Sequence, residues 1–204
     1  MGLALSVRRV LAAQGLELPA FAPRPAKPAP PIPDWVRFEP NRIWIVDVTH
    51  FPRARAVAFA IEDVVSRRWI ATLVSSEETS TQLQAVFTEA LEAEGLAARV
   101  ARRLDASVDP SADDASGPIL LAMSDNGPQM TSGSTREFMA LCAIAQRFGR
   151  PGTPADQAWI ESLFGHVKAE WPHLEAIRDR ELLRRELAAA RGHYNGVRLH
   201  AGIG

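Results

Sequence analysis

The stretch Ile43-Trp-Ile-Val-Asp-Val-Thr49 reads as a β-strand, rich in β-branched and aromatic residues and interrupted by one acid. Trp44, Val46 and Val48 alternate with Ile43, Ile45 and Asp47, so the strand is apolar on both faces. That pattern predicts a central strand covered on both sides. An ionised carboxylate at Asp47 is then costly unless it is paired, hydrogen-bonded or bound to a metal. Asp47 alone leaves a structural acid and a metal ligand both open.

Two further acids stand in comparable settings. Asp125 closes the apolar run Ile119-Leu-Leu-Ala-Met-Ser124 and precedes Asn126-Gly127. By itself Asp-Asn-Gly is also an ordinary turn sequence. Glu161 lies early in a predicted helix, Gln157 to Lys168, where a single Glu is often merely solvated. Thirty-five residues separate Asp125 from Glu161. Three such acids brought together can hold two divalent cations for phosphoryl transfer.

Working outward, residues 43–49, 56–62 and 69–74 read as strands, the second and third joined by the connection Asp63-Val-Val-Ser-Arg-Arg. Residues 79–94 have helical spacing, with Leu83, Val86, Phe87, Ala90 and Leu91 on one face. Thr79 or Ser80 caps this helix and Gly95 ends it. A polar stretch at 99–118 reads as a loop insertion. A strand at 119–124 follows, then a helix at 134–146 with Ser134 as its cap and Phe138, Leu141 and Cys142 facing inward. Thr153-Pro154-Ala155-Asp156 suits a helix start, and a last helix is predicted over 178–192. The order is that of a mixed α/β layer architecture.

Upstream, residues 1–18 read as a short helical tail. Residues 19–34 form a Pro-rich linker, with seven prolines between Pro19 and Pro33. The catalytic unit is expected over 35–204. No apolar run reaches the ~18 residues of a membrane helix, and the N-terminus, with Arg8 and Arg9 after its apolar stretch, does not suit a signal peptide. A single cysteine, Cys142, excludes an intrachain disulfide and fits the cytoplasm. Arg outnumbers Lys by 21 to 2, a skew that points to a GC-rich bacterial genome. The net charge of −1 hides basic flanks: residues 1–33 and 178–204 carry +3 each, and the middle carries −7. An acidic centre with basic flanks suits carboxylates that gather cations beside a phosphate backbone; a solvated surface looks the same.

In their order and spacing, the three acids resemble those of the DDE transposases and retroviral integrases. The surroundings carry the resemblance further: Ser124-Asp125-Asn126-Gly127 with Gln129 and Thr131-Ser132; Asp156-Gln-Ala-Trp-Ile-Glu161-Ser162 with Phe164, Lys168 and Glu170; and Tyr194-Asn195-Gly-Val-Arg198-Leu-His200, similar to the closing motif of insertion-sequence transposases. Pro40-Asn41-Arg-Ile-Trp44 and Asp63 with Ser66-Arg67 match the lead into the first strand and the second hairpin. Two positions depart from the family: Met123 stands where His is frequent and Asn126 where Arg is frequent. The resemblance implies an RNase H-like fold, a mixed five-stranded sheet flanked by helices. It further implies Asp47, Asp125 and Glu161 as catalytic and metal-holding residues for two Mg²⁺ or Mn²⁺ ions. Water would cut a DNA strand and the exposed 3′-hydroxyl would join target DNA. Lys168, Arg198 and His200 are the implied DNA contacts. Transposon ends and target DNA are the expected partners, with self-association into a homo-oligomer and a cytoplasmic, nucleoid-associated location. The helix-turn-helix with which such transposases find their ends has no counterpart in this sequence, so end recognition is expected from a separate protein or domain.

Three other readings remain open on sequence. One is a non-catalytic transposase remnant that binds DNA or a partner. Another is an RNase H-like nuclease without strand transfer. The third is a plain α/β module, which would need Asp47 and Asp125 far apart. His166 and His173 lack a metal-ligand pattern and read as surface residues; Trp159 and Trp171 read as core.

Overall fold

A computed structural model describes residues 31–104, 117–149 and 162–196. The tail at 1–18, most of the linker, the helix start at 153–156, Trp159, Glu161, Arg198 and His200 lie outside the described residues.

Five strands form one mixed sheet in the order β3-β2-β1-β4-β5. They are β1 (Ile43–Phe51), β2 (Ala56–Asp63), β3 (Trp69–Ser75), β4 (Leu120–Ser124) and β5 (Ile144–Phe148). β1 pairs antiparallel with β2, and β2 with β3; β1 and β4 are parallel, as are β4 and β5. The doubly apolar strand therefore occupies the middle of the sheet, as its pattern requires.

The helices between strands are α1 (Ser80–Ala93), α2 (Ala97–Leu104), the single turn α3 (Pro128–Thr131) and α4 (Gly133–Leu141). After β5 come α5 (Ser162–Glu170) and α6 (Arg180–Gly196). Leu83, Val86, Phe87, Ala90 and Leu91 of α1 bury their predicted stripe against Trp44, Val46, Phe59 and Ile61, and Trp44 stacks on Phe87. Gly95, at φ +68°, ends α1. Leu96 N–H returns to Leu91 O and Gly95 N–H to Glu92 O, satisfying two of the helix's last carbonyls.

The opposite face is built from smaller residues. Ala56, Ala58 and Ala60 of β2 lie beneath Leu163, Phe164 and Val167 of α5 and Leu183, Leu187, Ala190 and Tyr194 of α6. The short alanines leave room for Trp69, whose ring meets Phe164 and Tyr194 edge to face. Trp171, expected in the core, is half-buried and packs at the margin of this cluster. Lower on this face, Ile43, Ile45 and Val64 form a third cluster with Ile32 and Val36.

α6 also closes the sheet edge. The Asn195 carboxamide accepts from Trp69 N–H at 2.8 Å and donates to Trp69 O at 2.9 Å, as a neighbouring strand would. Arg191 donates to Ile70 O at 3.2 Å and Arg184 to Val74 O at 3.3 Å.

Several expectations are corrected. The helix predicted over 134–146 stops at Leu141, and residues 144–148 form the fifth strand, which the pattern did not announce. The break is at Ala143, in the left-handed region at φ +53°, where glycine is the usual signal. Leu141 is consequently exposed, not inward-facing, while Phe138 is half-buried and Cys142 buried. The cap is Ser132, whose hydroxyl accepts from Thr135 N–H at 3.2 Å, not Ser134. Within the predicted loop at 99–118, residues up to Leu104 belong to α2; this helix buries none of its side chains, which is why no apolar stripe marked it. Burial pushes the Cys142 thiol above its ordinary pKa, the behaviour of an inert core cysteine.

Two stability effects follow. Ala143→Gly relieves the left-handed backbone and should raise stability by about 1 kcal/mol. Asn195→Ala leaves both Trp69 backbone groups without their side-chain partner and should cost about 1–3 kcal/mol. Urea unfolding of each variant beside wild type checks both.

Candidate active site

The parallel register of β1 and β4 decides where the first two acids meet. Ile43 lies opposite Leu121, Trp44 opposite Ala122 and Ile45 opposite Met123. Continued two residues, the same register brings Asp47 level with Asp125, just past the end of β4. The plain structural module, which needed these acids far apart, loses its premise.

Asp47 is only 8% exposed. It sits on the face that α5 covers, between the Ile43–Ile45 cluster and Phe51. Its Oδ2 accepts from the Phe164 backbone N–H at 3.1 Å. Phe164 is the third described residue of α5. A strand carboxylate thus meets a backbone amide of the helix, in a charge-assisted bond.

Asp125 is exposed, and its Oδ1 accepts from Gly127 N–H at 3.0 Å in an Asx turn. Asn126 Nδ2 donates to the Gly149 carbonyl, tying this turn to the end of β5. Gln129 lies against Gly127: a Cβ there would fall 2.5 Å from Gln129 Nε2. An added Cβ would therefore press on the end of the Gln129 side chain, not on the backbone.

Glu161 directly precedes α5 in sequence and lies outside the described residues, as do Arg198 and His200. Lys168, on α5, donates to His50 O at 3.4 Å, pairs with Glu175 at 3.2 Å and stands over the Phe51 ring. The sequence pattern singled out neither Glu78 nor His50, whose side chains stand 2.9 Å apart. Neither carries a local signal, because their meeting depends on the sheet. His166 and His173 are exposed, as expected.

Among the described residues no three His, Cys, Asp or Glu side chains gather into a metal-binding group. The donor set nevertheless fits a hard divalent cation: a buried carboxylate on a central strand and a second on the adjoining turn, both offering oxygen. Among the described residues no helix is long and apolar enough to cross a membrane.

Two family models, both described as integrase core domain, match residues 38–154 and 143–204. The transposase for insertion sequence element IS904 of Lactococcus lactis subsp. lactis (strain IL1403) is 24% identical over 167 residues. That match covers 80% of this chain and 58% of the relative, so the chain spans little more than half of the relative's length. The simian T-cell lymphotropic virus intasome, solved with PP2A regulatory subunit B56 gamma, aligns at a TM-score of 0.58 and 18% identity, over 98% of this chain and 66% of that one. The BIV integrase catalytic core domain aligns at 0.53 and 18%, over 79% of this chain and 88% of that one. The HTLV-2 integrase catalytic core domain, solved with magnesium, aligns at 0.50 and 20%, over 81% and 92%. At these identities the likeness is one of fold, and it bears out the RNase H-like five-stranded sheet.

Gly127→Ala tests the packing of the turn. The added methyl must push aside the end of the Gln129 side chain and its bond to Glu78, so the variant should lose about 1 kcal/mol in urea unfolding. A change within error of zero would mean that Gln129 does not press on this turn.

Proposed function

Because the chain belongs to the integrase core domain family, whose members cut and join DNA, we propose that it is the catalytic core of an insertion-sequence transposase. Its reaction is DNA strand cleavage followed by strand transfer, and its working acids are Asp47, Asp125 and Glu161. The observation that supports the reading is the parallel β1–β4 pairing of Ile43–Ile45 with Leu121–Met123, a register that, continued two residues, would set Asp47 level with Asp125. The Asp47–Phe164 hydrogen bond adds to it, since Phe164 lies three residues after Glu161 in sequence.

In this reading the three carboxylates would hold two Mg²⁺ or Mn²⁺ ions. Bound there, such ions supply Lewis-acid polarisation of the scissile phosphate and a more acidic attacking water. The chain's own residues do the positioning. The Phe164 amide fixes one oxygen of Asp47, and the Gly127 amide fixes Oδ1 of Asp125. Ile43, Ile45 and Phe51 flank Asp47 with apolar surface, which lowers the local dielectric and strengthens charge interactions. Lys168, with Arg198 and His200, would meet the DNA backbone, Lys168 exchanging its Glu175 partner for a phosphate. Cleavage by water and attack by the freed 3′-hydroxyl require no covalent link between protein and DNA.

Transposon ends and target DNA are then the partners, engaged by a homo-oligomer in the bacterial cytoplasm at the nucleoid. A helix-turn-helix segment or protein would select the ends.

The test is nicking of a short duplex in Mn²⁺ by wild type, Asp47→Asn, Asp125→Asn and Glu161→Gln. Each substitution should lower the rate by roughly 10²-fold or more. Equal nicking by wild type and Asp125→Asn would sink the assignment. Joining of a labelled 3′ end to a second duplex separates a transposase core from a nuclease that only cuts.

A further inference from the structure

Resting on that reading of the acids, we propose that Glu78 is a positioning residue for the reaction: it holds Gln129 against Gly127 and so sets the turn that carries Asp125. Glu78 lies between β3 and α1. β3 and β1 are both antiparallel to β2, so they run the same way. The segment leaving β3 therefore emerges at the same end of the sheet as the last residues of β1 and β4.

There the Glu78 carboxylate makes two contacts at once. Its Oε1 accepts from Gln129 Nε2 at 2.8 Å, and its Oε2 lies 2.9 Å from His50 Nε2 on β1. Gln129 is 4% exposed, and its Oε1 is buried without a partner. Among the described residues Glu78 is thus the sole polar anchor of this carboxamide. The carboxamide in turn fills the space that a Cβ on Gly127 would take. Gly127 N–H reaches Asp125 Oδ1 at 3.0 Å.

His50, Glu78, Gln129, Gly127 and Asp125 thus form a continuous path. It begins three residues beyond Asp47 on the same strand and ends at the second acid. His50 follows the alternation of Trp44 and Val46, which face α1. The path consequently supports the Asp125 turn from the face opposite α5. Two carboxylates that share one ion must keep a fixed separation, and Asp125 is the member at an exposed turn just beyond its strand. A support anchored on β1, the strand of Asp47, fixes that separation where the β1–β4 ladder has ended.

The bond that matters is the one to Gln129 Nε2. Glu78→Gln keeps an oxygen able to accept it, whereas Glu78→Ala does not. The experiment records the Gly127 amide resonance of ¹⁵N-labelled chain and Mn²⁺-dependent nicking, in wild type and both variants. Glu78→Ala should shift the Gly127 resonance and lower the nicking rate about tenfold at unchanged KM for the duplex. Glu78→Gln should leave the resonance in place and the rate within about threefold of wild type. A Gly127 resonance unmoved in Glu78→Ala, or moved equally in both variants, overturns the proposal. Should wild type itself nick no DNA, that failure falls on the reading of the acids, and the Gly127 resonance alone decides whether Glu78 sets the turn.

Discussion

The hydrogen bond from Phe164 N–H to Asp47 Oδ2 joins the two halves of this structure. A buried carboxylate needs donors, and the Phe164 amide supplies one, in a charge-assisted bond stronger than one between neutral groups. The bond also fixes α5 along β1. With Phe164 held at Asp47, Leu163, Phe164 and Val167 fall on the Ala58–Ala60 patch and the Trp69 ring.

The two faces of the sheet divide the work. On the α1 side, Phe59, Ile61, Trp44 and Phe87 make a core of large side chains. On the α5 and α6 side, alanines on β2 bring the helices in over a single large ring, Trp69. An acid on the first face would be submerged among bulky residues. On the second face it lies in the seam between two apolar clusters, within reach of a helix terminus. Asp47 is therefore buried enough to need a partner, yet placed toward the sheet end at which the Asp125 turn leaves β4.

Much of this was legible in the sequence, for physical reasons that also define where reading failed. β1 announced itself because a strand covered on both faces is apolar on both, here at Ile43, Trp44, Ile45, Val46 and Val48 around Asp47. α1 was readable because its buried stripe has helical spacing and Gly95 marks its end. β5 was hidden, since among Ile144, Ala145, Gln146, Arg147 and Phe148 only Ile144 is buried, and an edge strand needs no alternation. The end of α4 was hidden as well, because Ala143 adopts the left-handed conformation that glycine normally signals. At the site, the acids stood out by their type and neighbours. Glu78 and His50 did not, because their association with each other and with Gln129 exists only after separate elements have been brought to one end of the sheet.

The basic C-terminal segment shows how far composition alone can mislead. Its positive balance fits a phosphate-binding flank, yet three of its arginines have structural partners. Arg180, Arg184 and Arg191 donate to the carbonyls of Arg55, Val74 and Ile70. Together with Asn195 on Trp69, Arg184 and Arg191 occupy backbone groups along β3, the edge strand of the sheet that α6 covers. A planar guanidinium with several fixed donors suits such an edge, because it can satisfy a carbonyl and still pair with a carboxylate, as Arg191 does with Glu89. A lysine ammonium has no such fork. The arginine excess in this helix is thus explained in part by edge protection. Any DNA-facing charge in α6 must come from side chains not already committed to the sheet, which narrows the search to its exposed face.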